Sequence, residues 1–98
     1  MKKILVAEDT ESNFLLLSII LRRDYEILRA YNGEEAVEIC RVDQPDLILM
    51  DIKMPVMDGL EATKNIRTFN KDIVIVALTA NAYDSDRAKA LDVGCDDY

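Results

Sequence analysis

The segment "LILMDIKMPVMDG", residues 47–59, runs four apolar residues straight into Asp51 and then passes a lysine, a proline and a glycine. A short, continuously apolar run bounded by such residues reads as a strand covered on both faces, the kind found in the middle of a parallel sheet. A carboxylate closing a buried strand is costly unless another group pairs with it or makes use of it. The question is what surrounds Asp51.

Moving outward, strands and helices alternate. "KILVA" (3–7) is a strand and "SNFLLLSIILRR" (12–23) a helix with a stripe of Phe14, Leu17 and Leu21. "YEILRAY" (25–31) follows, mixing Glu26 and Arg29 into an apolar run as an edge strand does. "NGEEAVEICRV" (32–42) has Asn32 placed to cap and Glu35 three residues on, and Asp58 with Glu61 repeats that signal before "GLEATKNIRTF" (59–69). "DLILM" (46–50) and "IVIVAL" (73–78) are the third and fourth strands, and a fourth helix over 81–93 should stop at Gly94. This order predicts βαβ units, hence an α/β fold with a doubly wound parallel sheet in one domain.

Composition sets limits on function. Net charge is −7, which argues against a sequence-independent hold on nucleic acid or on an anionic membrane. With no histidine, Ser/His and Cys/His catalysis are excluded. Cys40 and Cys95 stand far apart with no CxxC pair, and we read them as reduced thiols of a cytoplasmic protein. No apolar stretch reaches bilayer-spanning length, and "MKKILVAED" meets acids too early for a signal peptide.

Binding groups of an open parallel sheet gather at the C-terminal strand ends, beside the point where strand order reverses. There the sequence places Glu8 and Asp9, Asp51, and Thr79 with Ala80. Each has a bland reading as well. Glu8 and Asp9 put negative charge at the start of a helix, Asp51 initiates a turn, and Thr79 satisfies a strand-end backbone group. The conjunction favours a site. If the order is 2-1-3-4, strands one and three are neighbours and three carboxylates converge, pushing at least one towards protonation unless a hard divalent cation relieves the repulsion.

"VAEDTE", "LILMDIKMPVMDGLEAT", "IVALTANA" and "GCDDY" together resemble the receiver domains of two-component response regulators, in the style of those on hybrid sensor kinases. The resemblance spans essentially the whole chain. It implies a flavodoxin/CheY-like sheet of order 2-1-3-4 and a phosphoacceptor regulatory domain, not an enzyme in its own right. By resemblance Asp51 accepts the phosphoryl group from a phosphohistidine on a histidine kinase or histidine phosphotransfer protein. Glu8, Asp9 and Asp51 hold Mg2+ together with the backbone carbonyl of Lys53. Thr79 and Ala80 contact the phosphoryl group, and Tyr98 is the aromatic switch. No nucleic-acid contact or membrane insertion is implied.

Two other classes share parts of this pattern. An aspartyl-nucleophile phosphatase of the haloacid dehalogenase type wants a second acid two residues after the nucleophile, where Lys53 stands. A flavodoxin-like cofactor binder wants a phosphate loop after strand one, where "AEDTESN" is acidic.

Further expectations concern packing. Leu15, Leu16, Ile19 and Ile20 are read first as extra core packing, with an exposed docking patch for a histidine-bearing partner as the second reading. Lys64, Arg67, Arg87 and Lys89 are read as solvated, and Met54, Pro55 and Met57 as a stiff loop bordering the site. The family continues past the aromatic into a lysine-proline pair, a fifth strand and a fifth helix. The sequence ends at Tyr98, so a receiver truncated at its C-terminus is expected, with impaired output, strand four at an edge, and an opened face through which chains can associate.

Overall fold

A computed structural model describes residues 2–78, 89, 91–92 and 94–96. The elements run β1 (Lys3–Ala7), α1 (Glu11–Leu21), β2 (Glu26–Ala30), α2 (Gly33–Asp43), β3 (Leu47–Asp51), α3 (Gly59–Arg67) and β4 (Val74–Leu78). The four strands form one parallel sheet in the order β2-β1-β3-β4, as expected, with β2 at an edge. Among the described residues β4 is the other edge.

Alternation along the strands divides the sheet into two faces. On one, Leu5, Ala7, Ile48, Met50, Ile75 and Ala77 pack beneath Ala36 and Cys40 of α2 and Ala62 and Ile66 of α3, all in a single core cluster. The helices on this face begin where local chemistry says they should. Asn32 accepts a hydrogen bond from the Glu35 amide and Asp58 from the Glu61 amide, each at 2.8 Å. The Glu35 carboxylate reaches back to the Tyr31 amide, which closes the first capping exchange one residue early. Two glycines let the loops close in. A Cβ on Gly33 would lie 2.2 Å from the Met57 carbonyl oxygen, and one on Gly59 would lie 2.1 Å from that of Asp51.

The other face carries α1. Arg29 alternates with Leu28 and Ala30, which belong to the first face, and its guanidinium lies 4.2 Å from the Phe14 ring of α1. Here the first reading of the extra α1 leucines and isoleucines as core packing is corrected. Phe14, Leu17 and Leu21 are half-buried, whereas Leu15, Leu16, Ile19 and Ile20 are exposed and α1 buries no residue fully. Apolar residues all round a helix cannot share one contact, so the stripe against the sheet leaves the rest in solvent.

Arg67 is a second correction, because it is not a solvated side chain. Its Nε donates to the Gly94 carbonyl at 2.9 Å, Nη1 to Ile73 at 2.7 Å, and Nη2 to Asp96 Oδ2 at 2.9 Å. Asp96 in turn accepts from the Ile75 amide and donates its own amide to the Ile75 carbonyl, so residues 94–96 are fastened beside β4. Residues 89, 91 and 92 are helical and Gly94 has φ +114°, as a glycine after a helix should. Most of the expected fourth helix lies outside the described residues. Among those described, no helix is long and apolar enough to cross a membrane.

Candidate functional site

The register Ala7↔Met50 between β1 and β3 carries the residues that follow them, Glu8 and Asp51, to the same rim of the sheet. Glu8 is buried at 4% exposure, Asp9 is exposed and Asp51 is half-buried. One carboxylate oxygen from each lies within 4.8 Å of the others. The three acids singled out at the strand ends therefore do converge.

Local bonds fix two of them. The Glu8 amide donates to the Ala30 carbonyl at 3.1 Å, tying it to β2, and its Oε1 accepts from the Thr10 amide. Asp51 Oδ1 accepts from the Lys53 amide at 3.2 Å, so Lys53 acts on Asp51 through its backbone while its own side chain stays exposed. The loop that follows turns sharply. Val56 sits at φ +67°, a left-handed conformation that a β-branched residue rarely adopts. The Met57 carbonyl accepts from the Gly33 amide and Gly59 donates to the Ile52 carbonyl, which seats the start of α3 beside the rim.

Electrostatics follow from this crowding. The Asp51 carboxyl is pushed up from its ordinary 3.8 to about 6, first by burial and next by the Glu8 charge, with a shared hydrogen bond to Glu8 and the Asp9 charge adding; the Lys53 amide works the other way. The donor set is oxygen only, without imidazole or thiolate, which suits a hard cation such as Mg2+. Neutralising the cluster would also remove the repulsion that raises the Asp51 pKa. The residues present thus fit a divalent cation.

Thr79, Ala80 and Tyr98, the remaining site residues expected from the sequence, lie outside the described residues. Sequence reasoning missed Arg29, which it took for edge-strand polarity. The guanidinium packs against Phe14 and Tyr31, pairs with Glu11 and reaches the Glu8 carbonyl. The available signal was an aromatic two residues on, on the same side of the strand.

The sequence matches the response regulator receiver domain family over residues 4–98. Among curated proteins it is 40% identical to the alkaline phosphatase synthesis transcriptional regulatory protein PhoP of Bacillus subtilis, covering 99% of this chain and 41% of PhoP. It is also 40% identical to the chemotaxis protein CheY of Halobacterium salinarum, covering 99% of this chain and 82% of CheY. Against the hybrid signal transduction histidine kinase G of Dictyostelium discoideum it is 44% identical, over 98% of this chain and 3% of that protein. The chain thus spans less than half of PhoP and most of CheY.

Solved structures agree. The receiver domain of the Pseudomonas aeruginosa sensor histidine kinase PA1611, with a magnesium ion coordinated in its active-site cleft, superposes with a TM-score of 0.91 at 37% identity, covering 99% of this chain and 82% of that one. The receiver domain of Saccharomyces cerevisiae Ssk1, solved with the histidine phosphotransfer protein Ypd1, gives 0.92 at 38% identity, covering 99% and 76%.

Proposed function

The chain belongs to the response regulator receiver family of two-component signalling, and from that premise we propose that it is the phosphoacceptor of a phosphorelay, with Asp51 taking the phosphoryl group. Receivers are regulatory signalling domains, and we assign residues 1–98 to one such unit. The observation that carries the reading is the convergence of Glu8, Asp9 and Asp51 at one strand rim.

The chemistry divides among the chain's own residues. The Asp51 carboxylate attacks the phosphorus of a partner's phosphohistidine, the new O–P bond forms as the P–N bond breaks, and imidazole leaves with the electron pair. With its pKa near 6, Asp51 is mostly ionised at neutral pH and available as nucleophile. The Lys53 amide holds Oδ1, which leaves Oδ2 as the attacking oxygen. Glu8, Asp9, Asp51 and the Lys53 carbonyl are the ligands we assign to Mg2+. When bound, it supplies charge neutralisation for phosphoryl transfer. Thr79 and Ala80 meet the phosphoryl oxygens after transfer, and Tyr98 responds to the movement of Thr79; these roles rest on the family resemblance.

The donor is a histidine kinase or histidine phosphotransfer protein, a reading supported by the similar Ssk1 receiver domain having been solved with the histidine phosphotransfer protein Ypd1. The exposed Leu15, Leu16, Ile19 and Ile20 of α1, the helix that starts from the rim, support docking there. The free, buried Cys40 and Cys95 suit a reducing compartment, and we place the domain in the cytoplasm.

Incubation with acetyl phosphate tests the assignment. Intact mass should show one added phosphoryl group that depends on Mg2+, and Asp51→Asn should show none. Equal labelling of Asp51→Asn would remove Asp51 from the role.

A further inference from the structure

Arg29 lies opposite Val6 on the edge strand β2, and its side chain is only 13% exposed. Its guanidinium carbon sits 4.2 Å from the Phe14 ring and 4.0 Å from that of Tyr31. Nη1 donates to Glu11 Oε2 at 2.6 Å and Nη2 to the Glu8 carbonyl at 3.4 Å. Buried Nε has no hydrogen-bond partner among the described residues. For stability alone this is a costly choice. An apolar side chain would fill the same space with no charge to desolvate and no donor left over.

What an apolar side chain could not do is reach both ends of the junction between β1 and α1. That junction, Glu8 to Glu11, carries two of the three clustered carboxylates. The guanidinium fork is planar, and two aromatic neighbours fix its plane. Its two bonds therefore hold the Glu8 carbonyl and the Glu11 carboxylate at a set separation, with Asp9 between them.

We propose that Arg29 is a positioning residue for cation binding: by clamping the Glu8–Glu11 junction it fixes the spacing of the Glu8 and Asp9 carboxylates relative to Asp51, and so gives the site its preference for Mg2+ over Ca2+. The inference rests on the reading of the acidic cluster as a cation site. Mg2+ requires near-octahedral geometry at short distances, whereas Ca2+ accepts longer and irregular oxygen sets. Loosening the carboxylates penalises Mg2+ first. Lysine at position 29 keeps the charge but lacks the fork, and Glu11→Gln removes the ion pair while leaving the aromatic stack in place.

Titration of 15N-labelled protein with magnesium chloride, and separately with calcium chloride, followed at the amides of residues 8–11 and 51–53, gives both dissociation constants. Arg29→Lys should weaken Mg2+ binding about tenfold, in the range for partners that orient metal ligands, and Ca2+ binding much less. Glu11→Gln, at an exposed side chain that folding tolerates, should shift the ratio the same way by a smaller factor. A merely structural role would lower the melting temperature in EDTA and leave the Mg2+ to Ca2+ affinity ratio where it was. An unchanged ratio in both variants overturns the proposal. If Asp9→Asn binds Mg2+ as tightly as the wild type, the cluster is not the cation site, and the underlying reading falls with the inference built on it.

Discussion

Helices α1 and α2 are each eleven residues long and flank the same sheet, yet they are built in opposite ways. α2 is the less apolar of the two and buries Gly33, Ala36 and Cys40, small residues that let it lie close to the strands. α1 carries seven leucine, isoleucine and phenylalanine side chains and buries none of them fully. Apolar content does not decide burial; its confinement to one side of the helix does. The face under α2 and α3 holds the fold together, whereas α1, the helix that starts from the acidic rim, presents apolar side chains to solvent.

The same substitution on the two faces gives the sharpest contrast, and its inner half is the largest effect expected. Ile48→Ala, at a fully buried position on the α2/α3 side, should cost about 3 kcal/mol in urea denaturation. A cost below about 1 kcal/mol would mean that this face is not the stabilising one.

Next comes the rim, where the faces meet. In metal-free buffer the folded chain holds the Asp51 proton up to about pH 6, whereas the unfolded chain releases it near 3.8. Between those values the folded state binds more protons, so this group makes stability fall as pH rises from about 4 to about 6. Asp51→Asn should abolish that slope. Its urea midpoint should exceed that of the wild type at pH 7 and match it near pH 3.5; two parallel curves would show that the carboxylate crowding is not felt by the fold.

Val56→Asn should stabilise by about 1 kcal/mol, since asparagine tolerates the left-handed conformation that strains valine, here at φ +67° on an exposed loop position. Thermal melts would check this, and a loss of stability would assign Val56 a contact that outweighs the strain. The smallest effect belongs to the outer half of the matched pair. Ile20→Ala, 63% exposed on α1, should change stability by less than about 0.5 kcal/mol. A cost near that of Ile48→Ala would erase the distinction between the faces.

What could be read from sequence depended on whether its cause was local. Asn32 with Glu35 and Asp58 with Glu61 announce their helices within four residues, and both caps form. The acidic cluster was legible because each carboxylate closes or follows an apolar run, and a parallel sheet gathers such ends at one rim. Arg67 was misread because, beyond the nearby Asn70 and Ile73 carbonyls, its partners Gly94 and Asp96 lie 27 and 29 residues away, with nothing near position 67 to signal them. The α1 leucines were misread for a related reason: their own pattern says that they are apolar, not how much of the helix the sheet can cover. Arg29 looked like an edge residue and is one, yet its side chain turns inward to the rings.

The strand order also bears on how the chain comes to be folded. β1 and β3 are neighbours in the sheet, but the pair of backbone and side-chain bonds between Lys3 and Asp46 closes a loop across 43 residues. Such a closure costs on the order of 3 kcal/mol in chain entropy before the contacts it permits can repay it. Glu8 and Asp9 come from one side of that seam and Asp51 from the other. On a ribosome, the acidic cluster cannot assemble until Asp51 has followed Glu8 and Asp9 out, so a cation that binds there reports a finished central ladder and not a nascent one.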